Sequence, residues 1–174
     1  MSSPSQATET RCSVAVFRGD SLLLVRSVEN GSEVWKLPGG HVWAEEGLIA
    51  CARRELREET GLTADAMHCA FVLDVHDQVT GRYLVEIILI PSELLTGEPR
   101  RCEEGREPVF VAMDELPRLA LRPPETAHLY GLRDLHKREF AESPAESPGS
   151  PAGSEAGAAA ETGGARRIGV RTVR

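Results

Sequence analysis

Short apolar runs separated by turn-forming residues fill the first part of the chain. The runs at 12–17 and 21–28 flank Arg18-Gly19-Asp20, and this arrangement predicts a β-hairpin. A third, shorter strand is expected at 35–37, where Pro38-Gly39-Gly40 should stop it. The N-terminal part of the folded domain is therefore expected to be built from strands.

The spacing of apolar residues then changes to a helical period. Residues 46–60 are expected to form a helix, and Gly61 follows at the position of a left-handed C-cap. A last helix is expected to start at Pro123-Pro124 and to run to about Phe140. Two helices are thus predicted, one before and one after the remaining strands.

Three further strands are predicted between these helices. They lie at 67–75, at 82–90, joined to the first across Gly81, and at 108–113 before the turn at 114–117. The strand at 67–75 can pair antiparallel with its neighbour, while helices alternate with strands along the chain. The predicted class is α/β, with a mixed sheet and helices on both faces.

The composition changes abruptly after Phe140. Residues 141–174 contain no Leu, Phe, Trp or Tyr, so they cannot bury enough apolar area to offset their ordering entropy. The predicted organisation is a flexible N-terminus at 1–11, a folded domain at 12–140 and a disordered low-complexity tail at 141–174. The terminal residues 166–174 are either a solvated end or a small docking peptide.

The charge balance and the apolar runs exclude several classes of protein. There are 20 Lys and Arg against 27 Asp and Glu, a net charge of −7, which is a poor match to the nucleic-acid backbone. The longest apolar run, 84–90, contains Glu86 and is too short to span a membrane. With no secretory signal in residues 1–10, we expect a cytoplasmic protein that acts on a small molecule.

The four cysteines indicate neither a disulfide framework nor a zinc site. Cys12, Cys51, Cys69 and Cys102 are far apart, with no C-x-x-C pair. We expect reduced thiols, with the first three packed among apolar residues.

Three glutamates share one side of the predicted helix at 46–60. Projected at about 100° per residue, Glu55, Glu58 and Glu59 border the apolar stripe around Leu56. Like charges at these spacings repel, and anions in the last turn oppose the helix dipole, so a compensating cation is indicated. Mg²⁺ suits the site, because it takes oxygen ligands and bridges carboxylates to phosphates.

The alternative is a solvated acidic face with arginine neighbours at positions 53, 54 and 57. The residues before the helix favour the metal hypothesis. Gly39 and Gly40 have no Cβ, so their amides and carbonyls can approach a ligand or a metal ion closely. A glycine-rich approach to a helix N-terminus also suits anionic groups.

The segment from Gly40 to Leu62, GHVWAEEGLIACARRELREETGL, resembles the Nudix box of the MutT-like hydrolases. It matches the pattern G-x5-E-x7-R-E-U-x-E-E-x-G-U, with U aliphatic, at Gly40, Glu46, Arg54, Glu55, Leu56, Glu58, Glu59, Gly61 and Leu62. The W-x-L-P-G-G lead-in and the flanking strands extend the similarity over about 12–138. The resemblance implies an α/β/α sandwich around a mixed sheet.

The resemblance also implies hydrolysis of a nucleoside diphosphate linked to another moiety, with a divalent cation assisting attack by water. The positions that match the family's metal ligands are the Gly40 carbonyl, Glu55, Glu58 and Glu59. Arg54 matches the arginine that orients the carboxylates, and Glu46 matches the upstream glutamate. The expected cofactor is Mg²⁺, with Mn²⁺ as an alternative.

The carboxylate that accepts the proton of water varies within this family. Glu103, Glu104 and Glu107 precede the last predicted strand at a place where some members carry it. Glu104 is the favoured candidate, and the alternative is that the three glutamates only belong to a polar loop.

Substrate binding is expected at Arg26, Gly39, Gly40, His41 and Trp43. Arg26 resembles an arginine that meets substrate phosphate, and a guanidinium binds phosphate in a bidentate manner. His41 and Trp43 are candidates for stacking on a base or ribose. Surface positions without a binding role are the alternative for these three.

One position departs from the family pattern. Glu45 stands where many members have glycine, so the loop before the helix is expected to differ in shape there.

Three functions are compatible with the sequence. The first is a Mg²⁺-dependent pyrophosphohydrolase that cleaves a nucleoside triphosphate, or a modified one, to the monophosphate and pyrophosphate. The second is a hydrolase of nucleotide sugars or dinucleoside polyphosphates; the proline and tyrosine that accompany such activities are replaced by Asp77, Gln78 and Val79, which favours triphosphates. The third is a nucleotide sensor that does not hydrolyse its ligand, which the complete set of box carboxylates disfavours.

Overall fold

A computed structural model describes residues 8–77, 82–92, 95–123, 127–141 and 169–173 of the chain. Within these residues nine strands form two sheets, and two α-helices and a short 3-10 turn accompany them. The strands are β1 Thr8–Val14, β2 Phe17–Arg18, β3 Ser21–Glu29, β4 Ser32–Lys36, β5 Gly39–His41, β6 Met67–Asp77, β7 Arg82–Pro91, β8 Glu107–Ala112 and β9 Gly169–Val173. The helices are α1 Leu48–Thr60 and α2 Ala127–Ala141, and the 3-10 turn is Leu116–Arg118.

The larger sheet is mixed, as predicted, with strand order β5-β1-β7-β6-β9. β6 and β7 pair antiparallel, whereas β1 runs parallel to β7 with Cys12 opposite Ile87. On its other edge β1 pairs antiparallel with β5, which sets Cys12 opposite Gly40. The second sheet is antiparallel and centred on β3, which pairs with β8 as well as with β2 and β4.

The two faces of β3 are both buried, and each meets a different helix. Leu22 and Leu24 pack in the cluster that contains Leu129 and Leu132 of α2, whereas Leu23 packs in the cluster with Leu56 of α1. Because successive side chains of a strand point to opposite faces, a continuous apolar run suits a strand covered on both sides. The helices therefore lie on opposite sides of the sheets, and this confirms the predicted α/β/α arrangement. Of the helical segments described, neither has the length and apolar character that a membrane span requires.

The predicted N-terminal hairpin is wrong for most of its length. Only Phe17 and Arg18 pair with β3, while β1 ends at Val14 and belongs to the mixed sheet. The chain changes sheets between these strands, because β1 has its pairing partners in β7 and β5, whereas β2 has its partner in β3. The predicted third strand does end before Pro38, since β4 stops at Lys36, but Gly39 and Gly40 then begin a new strand, β5, because β1 supplies their pairing partners.

Both predicted flexible ends contain paired backbone. β1 begins at Thr8, inside the segment 1–11, because β7 offers it a parallel partner from Tyr83 onward. Gly169–Val173 pairs parallel with β6, with Gly169 opposite Phe71, so this part of the predicted disordered tail is a strand. The placement favours the docking alternative for the end of the chain. The other predictions for 1–7 and 142–168, and the turn at Gly81, lie outside the described residues.

Candidate active site

The carboxylates of the box are organised by one arginine of α1. Arg54 holds Glu46 in a bidentate pair, with Nε on Oε1 and Nη2 on Oε2, both at 2.9 Å. Its Nη1 donates to Glu55 at 2.6 Å and lies 3.4 Å from Oε2 of Glu58. The Trp43 ring covers this guanidinium, with 3.7 Å between the guanidinium carbon and the ring centroid. One cation therefore fixes three glutamates.

The hydrogen bonds from Arg54 lower the pKa of Glu46 from 4.5 to about 2. The hydrogen bonds that Arg54 donates to Glu46 and Glu55 raise the pKa of Arg54 still further above neutrality. The pair of Arg54 and Glu46 therefore stays ionised at physiological pH. The predicted orienting role of Arg54 matches this geometry.

Two of the box carboxylates are buried although they are charged groups. Glu55 is 9% exposed and Glu59 is 2% exposed, whereas the Glu58 side chain is half-exposed. The Glu59 Oε2 accepts a hydrogen bond of 2.8 Å from the backbone N–H of Gly39, and its Oε1 accepts one from Nη1 of Arg106. Burial of a charge is costly unless it is paired, so these contacts are needed to keep Glu59 in place.

The glycine pair of β5 packs directly against this cluster. A Cβ on Gly40 would overlap the Glu55 carboxylate, and a Cβ on Gly39 would overlap the carbonyl of Cys12. Glycine is thus required at Gly40 for close approach of β5 to α1, and at Gly39 for close approach of β5 to β1. Gly40 therefore lies against Glu55, one of the three glutamates that are predicted to bind the metal ion together with the Gly40 carbonyl.

A buried polar group lies behind the glycine pair. Ser13 donates to Glu86, which is 2% exposed, and Nε of Arg11 lies 3.5 Å from the same carboxylate oxygen. Burial raises the pKa of Glu86 above its usual range. Arg11 also donates to the Leu37 carbonyl at 3.3 Å, so it links β1 to the approach to β5.

A cavity of about 270 Å³ opens beside these elements. Among its lining residues are Glu59 of the box and Glu104, together with three cationic side chains, Arg11, Lys36 and Arg106. Each cation has a carboxylate partner: Arg11 has Glu86, Lys36 has Glu29 and Arg106 has Glu59. A cavity that is lined by both carboxylates and cations suits a polyphosphate with a divalent cation.

The donor set fits a hard divalent cation by its chemistry, since carboxylate and carbonyl oxygens are the ligands that Mg²⁺ prefers. As the side chains stand, no group of three His, Cys, Asp or Glu side chains within the described ranges converges on a single point. The reason is visible in the contacts: Arg54 holds Glu55 and Glu58, and Arg106 holds Glu59.

The three candidates for the proton acceptor have different surroundings. Glu104 lines the cavity that Glu59 also lines. Glu103 lies 3.4 Å from Nε of Arg106, and Glu107 pairs with Arg26. Glu104 is therefore the one of the three that shares a cavity with a box carboxylate, Glu59, and its role stays a prediction.

The predicted substrate-binding side chains have other partners in this structure. Arg26 contacts Glu107 and lies 3.5 Å from Glu33, and it is not among the residues that line the cavity. The His41 ring lies 3.3 Å from Glu9, on the exposed side of β5. The structure does not bring Arg26 to the cavity, so the geometry gives its predicted phosphate contact no support.

Trp43 stacks on Arg54, with 60% of the residue exposed to solvent. A tryptophan over a guanidinium supplies a cation–π contact that shields the ion pairs below it. The prediction that Trp43 stacks on a base or ribose stays untested.

Three cavity residues were not found from the sequence. Arg11, Lys36 and Arg106 come from β1, β4 and the loop before β8, which are distant in the chain. Arg106 carried a weak signal, since it is the cation between Glu104 and Glu107. Lys36 stands at the variable position of W-x-L-P-G-G, and nothing in the sequence marks Arg11.

The buried cysteines are close to the site but unreactive. Cys12 and Cys51 are buried, and burial raises their pKa values to about 12 and about 11. The Cys51 Sγ donates weakly to the His41 carbonyl at 3.6 Å. The four cysteines are free thiols, as predicted, and the first two have the expected packing role.

Glu45 adopts a left-handed backbone conformation with φ of 66°, at the position where many family members have glycine. A non-glycine residue pays about 1 kcal/mol for this conformation. We therefore expect Glu45→Gly to raise the free energy of unfolding by about 0.5–1 kcal/mol, measured by urea titration. Glu45→Ala is the control, since it removes the same charge and keeps a Cβ; equal stability of the two variants would contradict the explanation by strain.

The fold and the site together define a class. The family model of the NUDIX domain matches residues 8–131, which is more than half of the chain. The chain belongs to the Nudix family and is MutT-like, and members of this family generally use a divalent metal. The box, the α/β/α arrangement and the buried carboxylates are the features that the family assignment explains.

Individual relatives match over different lengths. Phosphatase NudJ of Escherichia coli strain K12 is 46% identical over 46 residues, which span 26% of this chain and 30% of that relative. The matched part is thus less than a third of the relative's length. The crystal structure of a MutT NUDIX hydrolase from Burkholderia pseudomallei is 28% identical, with a TM-score of 0.56 over 63% of this chain and 86% of that chain.

Two structures with lower identity share the fold. A NUDIX hydrolase from Nitrosomonas europaea is 18% identical, with a TM-score of 0.64 over 76% of this chain and 91% of that chain. The NUDIX domain of Shewanella oneidensis NrtR, complexed with ADP ribose, is 16% identical, with a TM-score of 0.55 over 77% of this chain and 88% of that chain.

Proposed function

We propose that this protein is a Mg²⁺-dependent pyrophosphohydrolase that cleaves a nucleoside triphosphate to the monophosphate and pyrophosphate. The observation that carries the proposal is the pair of buried glutamates, Glu55 and Glu59, of which Glu59 lines a cavity that three cationic side chains also line. Charged carboxylates are rarely buried without a purpose, since their desolvation must be offset. A metal ion and the phosphates of a nucleotide would supply that compensation during turnover.

The residues of the site would have separate roles in binding the cation and the phosphates. Gly40, Glu55, Glu58 and Glu59 would hold the cation, and Arg54 keeps the first two glutamates of α1 oriented by its hydrogen bonds. When bound, Mg²⁺ neutralises charge on the phosphates and lowers the pKa of a water ligand. Lys36 and Arg11 lie where they can bind phosphate oxygens at the cavity wall. The carboxylates and the cations that line the cavity would thus position the phosphate chain together.

The reaction forms one P–O bond to the oxygen of water and breaks one bond between a phosphorus and a bridging oxygen. The proton of the water passes to a carboxylate, for which Glu104 is the proposed acceptor because it lines the same cavity as Glu59. The bridging oxygen leaves with pyrophosphate. Mn²⁺ is expected to substitute for Mg²⁺ because it takes the same oxygen ligands. We place this reaction in the cytoplasm.

A panel of nucleotides tests the proposal. The full chain is incubated with nucleoside triphosphates, nucleotide sugars including ADP ribose, and dinucleoside polyphosphates, with Mg²⁺, with Mn²⁺ or with EDTA. We expect pyrophosphate and a monophosphate from at least one triphosphate, and no release with EDTA. Faster cleavage of nucleotide sugars or dinucleotides would replace the triphosphate by that substrate class. Tight binding of a nucleotide, with no phosphate or pyrophosphate released from any compound, would favour the alternative that the protein is a nucleotide sensor.

A further inference from the structure

Both carboxylate oxygens of Glu59 are engaged by groups of the protein. Oε2 accepts from the Gly39 amide, which is fixed by the pairing of β5 with β1, and Oε1 accepts from the Arg106 guanidinium. A metal ion that takes an oxygen of Glu59 must therefore share this carboxylate with the two donors, and of these the guanidinium carries a positive charge that opposes the metal ion. The amide belongs to a sheet and cannot withdraw, so the guanidinium is the group that can move.

The exposure and the loop position of Arg106 allow its side chain to move. Its side chain is 40% exposed, whereas the Glu59 side chain is 3% exposed, so the arginine reaches a buried acid from the solvent side. It lies in the loop before β8 and follows Gly105, whose φ is 78°. Its other ion-pair partner in the described structure is Glu103, at 3.4 Å from Nε.

The other two cations of the cavity do not share this arrangement. Arg11 is paired with Glu86 and with the Leu37 carbonyl, and Lys36 is paired with Glu29. Neither of those carboxylates belongs to the box. Of the three cavity cations, Arg106 is the one whose partner is also an expected metal ligand.

We propose that Arg106 is a phosphate-binding residue that exchanges partners, leaving the Glu59 carboxylate when a divalent cation binds there and moving onto a phosphate of the nucleotide. The proposal rests on the proposed function. A cation on Glu59 repels the Arg106 guanidinium. Arg54 is anchored against such repulsion by its bidentate pair with Glu46, whereas the Arg106 side chain is 40% exposed, so metal binding drives the Arg106 guanidinium outward. Because Arg106 lines the same cavity, a short movement keeps it beside the phosphates, where a bidentate contact is available.

The first test measures metal affinity without any nucleotide. Mn²⁺ is titrated into the wild type, Arg106→Met and the control Arg101→Met, with binding followed by electron paramagnetic resonance and calorimetry. Arg101 is an exposed arginine of the same loop, so its substitution removes an equal charge from the same region. We expect Mn²⁺ to bind Arg106→Met about fivefold more tightly, since the cation no longer displaces a half-exposed ion pair. Arg101→Met should bind as the wild type does.

The second test measures kcat/KM for hydrolysis of the nucleotide. On the substrate that the panel selects, we expect Arg106→Met to lower kcat/KM by about 10- to 100-fold, the value of a charge-assisted hydrogen bond. Arg106→Lys should recover part of this loss, because the charge remains while the bidentate geometry does not. Opposite changes in metal affinity and in kcat/KM are the signature of exchange, which an ion pair with a purely structural role would not produce.

Unchanged or weaker Mn²⁺ binding by Arg106→Met would overturn the exchange, even in an active enzyme. An unchanged kcat/KM with tighter Mn²⁺ binding would overturn the phosphate contact. Failure of the proposed function looks different: the wild type would release no product from any nucleotide, while the Mn²⁺ titration would still show whether the guanidinium and the cation compete for Glu59.

Discussion

Glu59→Gln is expected to lower kcat by at least about 100-fold, the loss typical for removal of a group that stabilises charge in the transition state. The amide has the shape of the carboxylate, and its oxygen can still accept the hydrogen bond from the Gly39 amide. Its NH₂ group then faces Arg106 and the expected position of the cation, where a negative oxygen is needed. The fold should survive, while the charge that holds the metal ion is lost.

Nucleotide affinity should fall less than kcat in Glu59→Gln, because Arg11 and Lys36 remain at the cavity wall. Steady-state kinetics and calorimetry measure the two quantities separately. Glu98→Gln is the matched control, since it makes the same chemical change at a side chain that is 81% exposed. Full activity of Glu59→Gln would remove this carboxylate from the metal site even if hydrolysis by the wild type stands.

Arg54→Leu is expected to destabilise the protein by about 2–4 kcal/mol, because it leaves buried carboxylates without their partner. The Arg54 and Glu46 side chains are each 12% exposed, and Glu55 is 11% exposed. Leucine also loses the contact with the Trp43 ring. Urea titration at neutral pH measures the loss, and Arg53→Leu, on the exposed face of the same helix, should change stability by less than about 0.5 kcal/mol.

The difference in the free energy of unfolding between the wild type and Arg54→Leu should depend on pH. Arg54 holds the pKa of Glu46 at about 2 instead of 4.5. A carboxyl whose folded pKa is depressed contributes stability above its unfolded pKa, and this contribution disappears as pH falls through the folded value. The difference between the two proteins should therefore shrink as pH falls from 4.5 towards 2. A difference that stays constant over this range would mean that lost packing, and not lost charge pairing, explains the effect.

The local features of α1 could be predicted from the sequence. The helix occupies Leu48–Thr60, within the predicted span, and Gly61 caps it with φ of 74°. Both follow from short-range rules, namely apolar spacing and the conformational freedom of glycine. The glutamate arc was also correct in outline, since Glu55 and Glu59 are buried at the edge of the apolar stripe.

The features that depend on distant residues could not be predicted in this way. β1 leaves the hairpin because β7, far along the chain, offers it a parallel partner. Gly39 and Gly40 form a strand for the same reason, although P-G-G is locally a turn signal. Arg106 meets Glu59 across 47 positions of sequence, a contact that no local pattern encodes. Pairing partners and ion pairs of this kind are set by the tertiary fold.

The register of β1 also bears on the order in which the site is assembled during synthesis. Gly40 lies opposite Cys12 of β1, and β1 is held on its other edge by β7, which ends at Pro91. Until the ribosome has made that residue, β1 can pair only with the three residues of β5, and a two-stranded sheet is marginal in water. Contacts between residues so distant in sequence also form late in folding. We therefore expect α1 to be synthesised first. The position of Gly40 should become fixed only after β7 has emerged from the ribosome and paired with β1.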